Sequence, residues 1–297
     1  MLALVLAGLF ALPNAKLKAS MVGALPAKMD AGRKKTMGPK MLLIGGSNLS
    51  FGMDSAALSQ RLGMPVYNQG VYGAFGLKTM LDQAMRMANP GDTLAVFPEY
   101  EQLTDRKNYL GAGEGLVAML CEVDRRGFLD LSGEQWRALS GDFLGYAQTK
   151  WFKPKTWWDT RAQPWYAADS FNELGDVAAH AGVPRRGFAK PGAWRLQTLD
   201  TQTAADLRAF AARAEARGVR VVFMPPAYAG SAFDANAGAI TQLDAAMRGN
   251  GTPFAAPCAR YCFDDELFFD SPHHLVFEAG PERAARVAED LKAEGYD

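Results

Sequence analysis

Ser47 follows two glycines at the end of a short apolar run, Met41 to Ile44, and precedes a helical stretch that Asp54 can cap and that runs through Leu62. Strand, tight glycine turn, serine, helix is the geometry that lifts a hydroxyl out of the backbone at the carboxyl end of a sheet strand, where ligands bind in open α/β folds. Gly46 lets the backbone approach a substrate closely. An ordinary βα turn that happens to hold a serine has the same text, so the chemistry depends on what meets the hydroxyl.

A hydroxyl is a weak nucleophile at its own pKa and needs a base and an orienting acid. The chain has three histidines. His180 sits in the bland helix end Val177-Ala178-Ala179-His180-Ala181-Gly182 and reads as a surface or packing residue. His273 and His274 lie in Phe269-Asp270-Ser271-Pro272-His273-His274-Leu275. A loop projecting Asp270 with a histidine suits a dyad in which the acid fixes the imidazole tautomer and the imidazole takes the serine proton. The competing reading is a polar loop or a fortuitous metal site. Two adjacent histidines rarely face one ion, so neither a metal nor another cofactor is called for.

Asn68-Gln69-Gly70-Val71-Tyr72-Gly73-Ala74-Phe75-Gly76 leads into a helix expected over Leu77 to Ala88. Glycines ahead of a helix N-terminus leave backbone N–H groups pointing outward, as a developing oxyanion requires. A dinucleotide site is disfavoured because no acid ends the next strand in the expected place. That strand, Thr93 to Phe97, runs into Pro98-Glu99-Tyr100-Glu101-Gln102. Tyr100 or Gln102 could donate there, whereas ionised Glu99 and Glu101 only accept and could equally pin loops.

Gly45-Gly46-Ser47-Asn48-Leu49-Ser50-Phe51-Gly52, the glycine block after the second strand, and Asp270 with His274-Leu275 resemble the SGNH (GDSL-like) hydrolase superfamily. More narrowly, they are similar to its bacterial cell-surface branch, related to DltD and to alginate-acetylation proteins. The resemblance covers about 40–105 and 215–297. It implies Ser47 as nucleophile, Asp270 as orienter, and the N–H groups of Ser47 and Gly73 as oxyanion donors. Gly46, Asn48, Glu99 and Tyr100 are expected around the oxyanion and substrate. The superfamily's third-block asparagine is missing, but the branch carries Pro-Glu-Tyr-Glu there, as this chain does. An Asp-x-x-His register picks His273 as base. The branch register, Asp-x-x-Tyr-His-Leu, picks His274 and leaves His273 where tyrosine usually stands; His274-Leu275 and Gly280 favour this second register. The implied activity is a serine-dependent acyl-ester hydrolase or O-acyl (acetyl) transferase. Its implied partners are an acylated carbohydrate or other ester and a membrane-anchored acyl donor, in the periplasm or cell envelope. The alternative is an inactive carbohydrate-binding or assembly protein in polysaccharide export.

The elements that must position these groups read as α/β. Strands alternate with helices over Thr93–Phe97, Ala204–Arg217, Val219–Met224, Ala237–Met247, Pro253–Pro257 and Pro281–Glu294. The expectation is a three-layer α/β/α domain over 40–297, with a four- to five-stranded parallel sheet and a helical insertion at about 105–200. Residues 1–39 read as an apolar segment, Leu2 to Pro13, then a basic linker from Lys16 to Lys40. The apolar run is short for a span and suits a signal core, an N-terminal anchor or a helix packed on the domain. Thirty-two basic residues balance 32 acidic ones in 297, which argues against nucleic acid as the main partner. Trp151, Trp157, Trp158 and Trp165 could stack on sugars or form a small core under loops. Cys258 and Cys262 are close enough in sequence for a small-loop disulfide, or all three cysteines are buried thiols.

Overall fold

The computed structural model describes residues 2–34, 36–111, 113–188 and 195–296. Strands β1 (Met41–Gly45), β2 (Val66–Asn68), β3 (Thr93–Phe97) and β4 (Arg220–Phe223) form one parallel sheet in the order β2-β1-β3-β4. Met41 pairs with Val66 on one side and Thr93 on the other. Every residue of β1 and β3 is buried, which is why both read as continuous apolar runs rather than alternating ones. The chain steps from β1 to β2, then returns past β1 to β3. Right-handed connections therefore put the first helix on one face and the next on the other. The strand order reverses between β1 and β3, so a crevice opens at their carboxyl ends.

The helices that matter here are α1 (Leu25–Arg33), α2 (Ser47–Ser50), α3 (Ser55–Leu62), α4 (Leu77–Met87), α5 (Tyr100–Thr104), α6 (Glu114–Glu122), α7 (Gly133–Phe152), α8 (Thr201–Glu215), α9 (Ala237–Gly249) and α10 (Gly280–Ala293). Helix α3 packs against α10, α4 packs on β1, and α8 packs on β4. The result is the three-layer α/β/α arrangement with a four-stranded sheet. The expected fifth strand at Pro253–Pro257 shrinks to one parallel bridge, Phe223 to Phe254. Phe223 N–H donates to Pro253 O at 2.7 Å and Ala255 N–H to Phe223 O at 3.0 Å. Prolines at both ends lack the N–H that would extend the ladder. A second, two-stranded parallel sheet pairs β5 (Tyr228–Ala229) with β6 (Cys262–Phe263). Cys121, Cys258 and Cys262 are free thiols.

The stretch from Lys16 is not a linker. A short helix, Ala15–Ala19, a 3₁₀ turn and α1 carry it, with Met21, Val22, Leu25 and Met29 buried in the main core. Those apolar positions follow a helical spacing that interleaved lysines and glycines obscure. Lys28 of α1 is buried and donates to the carbonyls of Gly70 and Gly175, the latter at 2.7 Å. The apolar N-terminus is a helix over Leu2–Leu6 and a π-helical turn over Ala7–Ala11, packed on α7. Among the described residues no helix is long and apolar enough to cross a membrane. The expected insertion holds α6 and α7, packed together, then largely irregular chain. Residues 189–194 of it, Ala112 at its glycine-rich helix start, and Met1 and Lys35 of the N-terminal segment lie outside the described residues.

A buried ion pair closes the amino end of the sheet. Lys40 Nζ lies 2.5 Å from Asp92 Oδ2, and Asp92 also accepts from the N–H groups of Lys40 at 3.1 Å and Asn89 at 2.8 Å. Removing the cation strands a carboxylate that the fold has taken out of water. Lys40→Ala is expected to cost about 3–5 kcal/mol in urea unfolding; a loss near zero would mean that water reaches Asp92.

Candidate active site

Ser47 begins α2, directly after β1 has delivered Gly45 and Gly46 to the crevice. Gly46 has ordinary φ, and its glycine identity comes from crowding: a Cβ there would stand 2.7 Å from the Gly73 Cα and 2.6 Å from Glu99 Oε1. The nucleophile turn and the glycine block thus meet backbone to backbone. Arg283 of α10 is fully buried beneath the turn and donates from one guanidinium nitrogen to Asn48 O at 2.7 Å and Phe51 O at 3.4 Å. It satisfies carbonyls that a four-residue helix leaves open. Burial pulls its pKa down to about 10, with Tyr261 and Asp176 opposing.

The histidine loop is a tight antiparallel turn. Phe268 bridges Leu275, Phe269 N–H donates to His274 O at 2.7 Å, and Ala229 N–H on β5 donates to Pro272 O at 3.0 Å. His274 Nε2 lies 2.9 Å from Ser47 Oγ, and His274 Nδ1 lies 2.8 Å from Asp270 Oδ1. The imidazole lies nearly parallel to the Phe51 ring, 4.4 Å between centroids. The second carboxylate oxygen of Asp270 accepts from the Tyr166 hydroxyl at 2.7 Å. Burial would raise the Asp270 pKa, but His274 and Tyr166 outweigh it and hold the carboxyl below its usual range.

His273 turns the other way. Its Nε2 lies 3.4 Å from Glu101 Oε2, and its ring packs 4.8 Å from that of Tyr228. Of the two histidines, His274 is the one hydrogen-bonded to the serine. Burial alone would lower the His273 pKa; the charge and hydrogen bond of Glu101, with Glu99 beyond, raise it instead. Glu101 is correspondingly lowered by His273 against the opposing effect of burial.

Around Ser47 and Gly73 donors and acceptors both face the cleft. Among the described residues no backbone carbonyl accepts from the N–H of Ser47 or of Gly73. Gln102 Nε2 donates to Gly73 O at 2.9 Å and braces the loop from the cavity wall. Tyr100, expected near the substrate, is fully buried with its ring edge-on to Tyr228 at 5.2 Å. As the first residue of α5 it points into the core, and its side chain presents no surface to solvent. Glu99 carries its carboxylate over Gly73, where it accepts from Asn48 Nδ2 at 3.3 Å. Beside it opens a cavity of about 450 Å³ lined by Gly73, Glu99, Glu101, Tyr228, Asp270 and His273.

Sequence reading missed Tyr166, Arg283 and Asp176. Asp176 accepts from Ser55 Oγ at 2.6 Å, Ser55 N–H at 2.9 Å and Asn68 Nδ2 at 2.8 Å, tying the insertion to the start of α3 and the end of β2. Only the aromatic cluster around Tyr166 was visible, without its partner. His180 is a packing residue, buried among Phe51, Phe269 and Phe277. The whole arrangement can deprotonate a serine as it attacks a carbonyl carbon and can return that proton to a leaving oxygen.

The Glu101–His273 pair carries a pH signature. The lowered Glu101 pKa contributes stability present above the ordinary carboxylate value of 4.5 and lost as pH falls through the folded value. The raised His273 pKa contributes stability present below 6.5 and lost as pH rises through the folded value. The cost of Glu101→Gln in denaturant unfolding is therefore expected to peak between pH 4.5 and 6.5 and to shrink by pH 9. A cost independent of pH would show that the pair is not ionic. A scan of the chain against protein-family models and a search of curated proteins both return no match, so the reading of this site rests on its own geometry.

Proposed function

We propose that the protein is a serine-dependent acyl-ester hydrolase or O-acyl transferase of SGNH type. The observation that carries this reading is the 2.9 Å contact between Ser47 Oγ and His274 Nε2. His274 takes the Ser47 proton as Oγ bonds to the ester carbonyl carbon, and Asp270 holds Nδ1–H and stabilises the imidazolium. The carbonyl electron pair becomes an oxyanion received by the Ser47 and Gly73 N–H groups. Collapse breaks the bond to the alcohol, which leaves with the proton from His274. Water or a sugar hydroxyl then repeats the sequence on the acyl-serine. The cavity beside the triad is mostly apolar in its lining, with the carboxylates of Glu99 and Glu101 as acceptors, which suits the acyl ester of a hydroxyl-bearing alcohol. By resemblance, the substrate class is an O-acylated envelope or extracellular polysaccharide, the acyl donor is membrane-anchored, and the site of action is the periplasm or cell envelope.

One observation favours a second reading, an inactive carbohydrate-binding protein. The Glu99 carboxylate occupies space beside Gly73 where negative charge would develop, and an ionised carboxylate opposes such charge. Turnover of p-nitrophenyl acetate separates the two. Ser47→Ala and Asp270→Asn are each expected to lower kcat by about 10⁴-fold or more; rates equal to wild type would leave only the binding role. Glu99→Gln places a carboxamide donor at the same position. It is expected to raise kcat/KM severalfold on this neutral ester, and a fall would show that Glu99 itself takes part in the reaction.

A further inference from the structure

The face made by the N-terminal segment and α7 is apolar, aromatic and exposed. The Phe10 ring lies 6.1 Å from that of Phe128, which stacks on Trp136 at 6.0 Å and on Phe143 at 6.1 Å. Further along, Trp151 Nε1 donates to Leu4 O at 2.9 Å, and Trp157 Nε1 to Lys150 O at 2.8 Å. Trp158 packs edge-on against Trp157 at 6.3 Å. The two groups lie along α7 and the N-terminal segment packed on it, and their outermost members stay in solvent: Phe152 is 81 % exposed and Trp158 65 %. Isolated exposed apolar side chains are ordinary, but a contiguous run of them marks an interaction site.

Exposed lysines gather at the Phe152 end of this face, while exposed Glu114 accepts from Thr149 Oγ1 of α7 at 3.2 Å. Lys153 and Lys155 are exposed, and the helix Ala15–Ala19, with exposed Lys16 and Lys18, packs against the turn Pro154–Trp157. Arg125 lies over the Phe10 ring at 5.7 Å. The acids of α7 are engaged elsewhere: Glu134 pairs with Arg106 at 2.5 Å, and Asp142 accepts from Gly113 N–H at 3.0 Å. Asp159 is held by Arg161 at 2.8 Å. Two copies meeting through this face would oppose like charges, whereas an anionic surface would complement them. Indoles above a basic fringe are what the headgroup zone of a bilayer accommodates, with apolar rings inward and N–H groups toward water.

We infer that this face lies flat on an anionic phospholipid surface, with Trp151, Phe152 and Trp158 entering the headgroup zone and Lys16, Lys18, Lys153 and Lys155 meeting the phosphates. The association is in-plane and needs no spanning helix. Ala168 N–H donates to Ala19 O at 3.0 Å, so the lysine helix is tied to the segment that carries Tyr166.

The test is co-sedimentation of the full chain with vesicles of phosphatidylcholine containing phosphatidylglycerol, against phosphatidylcholine alone. Binding is expected on the anionic vesicles, weakening with salt and falling about fivefold for each of Lys153→Ala and Lys155→Ala. Phe152→Ser with Trp158→Ser should remove most of it, with circular dichroism melts reporting retained fold. The lysine variants keep the test decisive should the aromatic pair destabilise the chain. Failure to bind anionic vesicles, or equal binding by wild type and the lysine variants, overturns the inference. So does a concentration-dependent dimer that Phe152→Ser dissolves.

Discussion

The 2.9 Å contact between Ser47 and His274 joins groups 227 positions apart. One such hydrogen bond contributes only about 1 kcal/mol net, far less than the entropy of ordering the two loops that make it. The ordering comes from what surrounds them. Phe51, Phe268, Phe269 and Leu275 are fully buried, and each such side chain contributes about 1.5–3 kcal/mol by leaving water. Phe51 serves twice, as the end of the nucleophile turn and as the floor on which the imidazole lies. Arg283 locks the same turn from below. The polar contact is thus a consequence of apolar packing.

The two histidines show how adjacency produces division. In extended chain, neighbouring side chains point to opposite sides. Here the chain leaves a turn closed by His274 N–H to Ser271 O at 3.2 Å and enters the Phe268–Leu275 bridge, and His274 faces Ser47 while His273 faces Glu101. One imidazole meets the serine, and the other sits beside carboxylates that raise its pKa against the effect of burial. Glu99 and Glu101, both on the carboxyl side of β3, give that half of the cleft its negative character, and His273 offsets part of it.

Legibility from sequence followed the range of the signal. β1, β3 and β4 announced themselves as buried apolar runs, and the serine turn as glycines at a strand end. The choice between His273 and His274 leaned on register, and the geometry brings His274 to the serine. Tyr166, Asp176 and Arg283 carried no local mark, because their partners lie more than 100 positions away. Tyr100 looked like a candidate donor because its hydroxyl can donate and it follows a strand end, while its burial depends on partners distant in sequence. The stretch after Lys16 looked like a linker because helices of this kind are stabilised by tertiary burial more than by propensity. Pro253–Pro257 failed as a strand for want of N–H donors.

Lys28 joins α1 to the Gly70 loop and to Gly175, and burial lowers its pKa to about 7 against the opposing pull of Asp176. A neutral amine keeps two N–H donors, and two carbonyls accept them, so the strut survives losing its proton. Between about 7 and 10.5 the unfolded chain still binds a proton there that the folded chain has released. Folding at that position therefore becomes more favourable in alkaline solution, the opposite trend to His273. This three-way tether gains in the same conditions that weaken the Glu101–His273 pair.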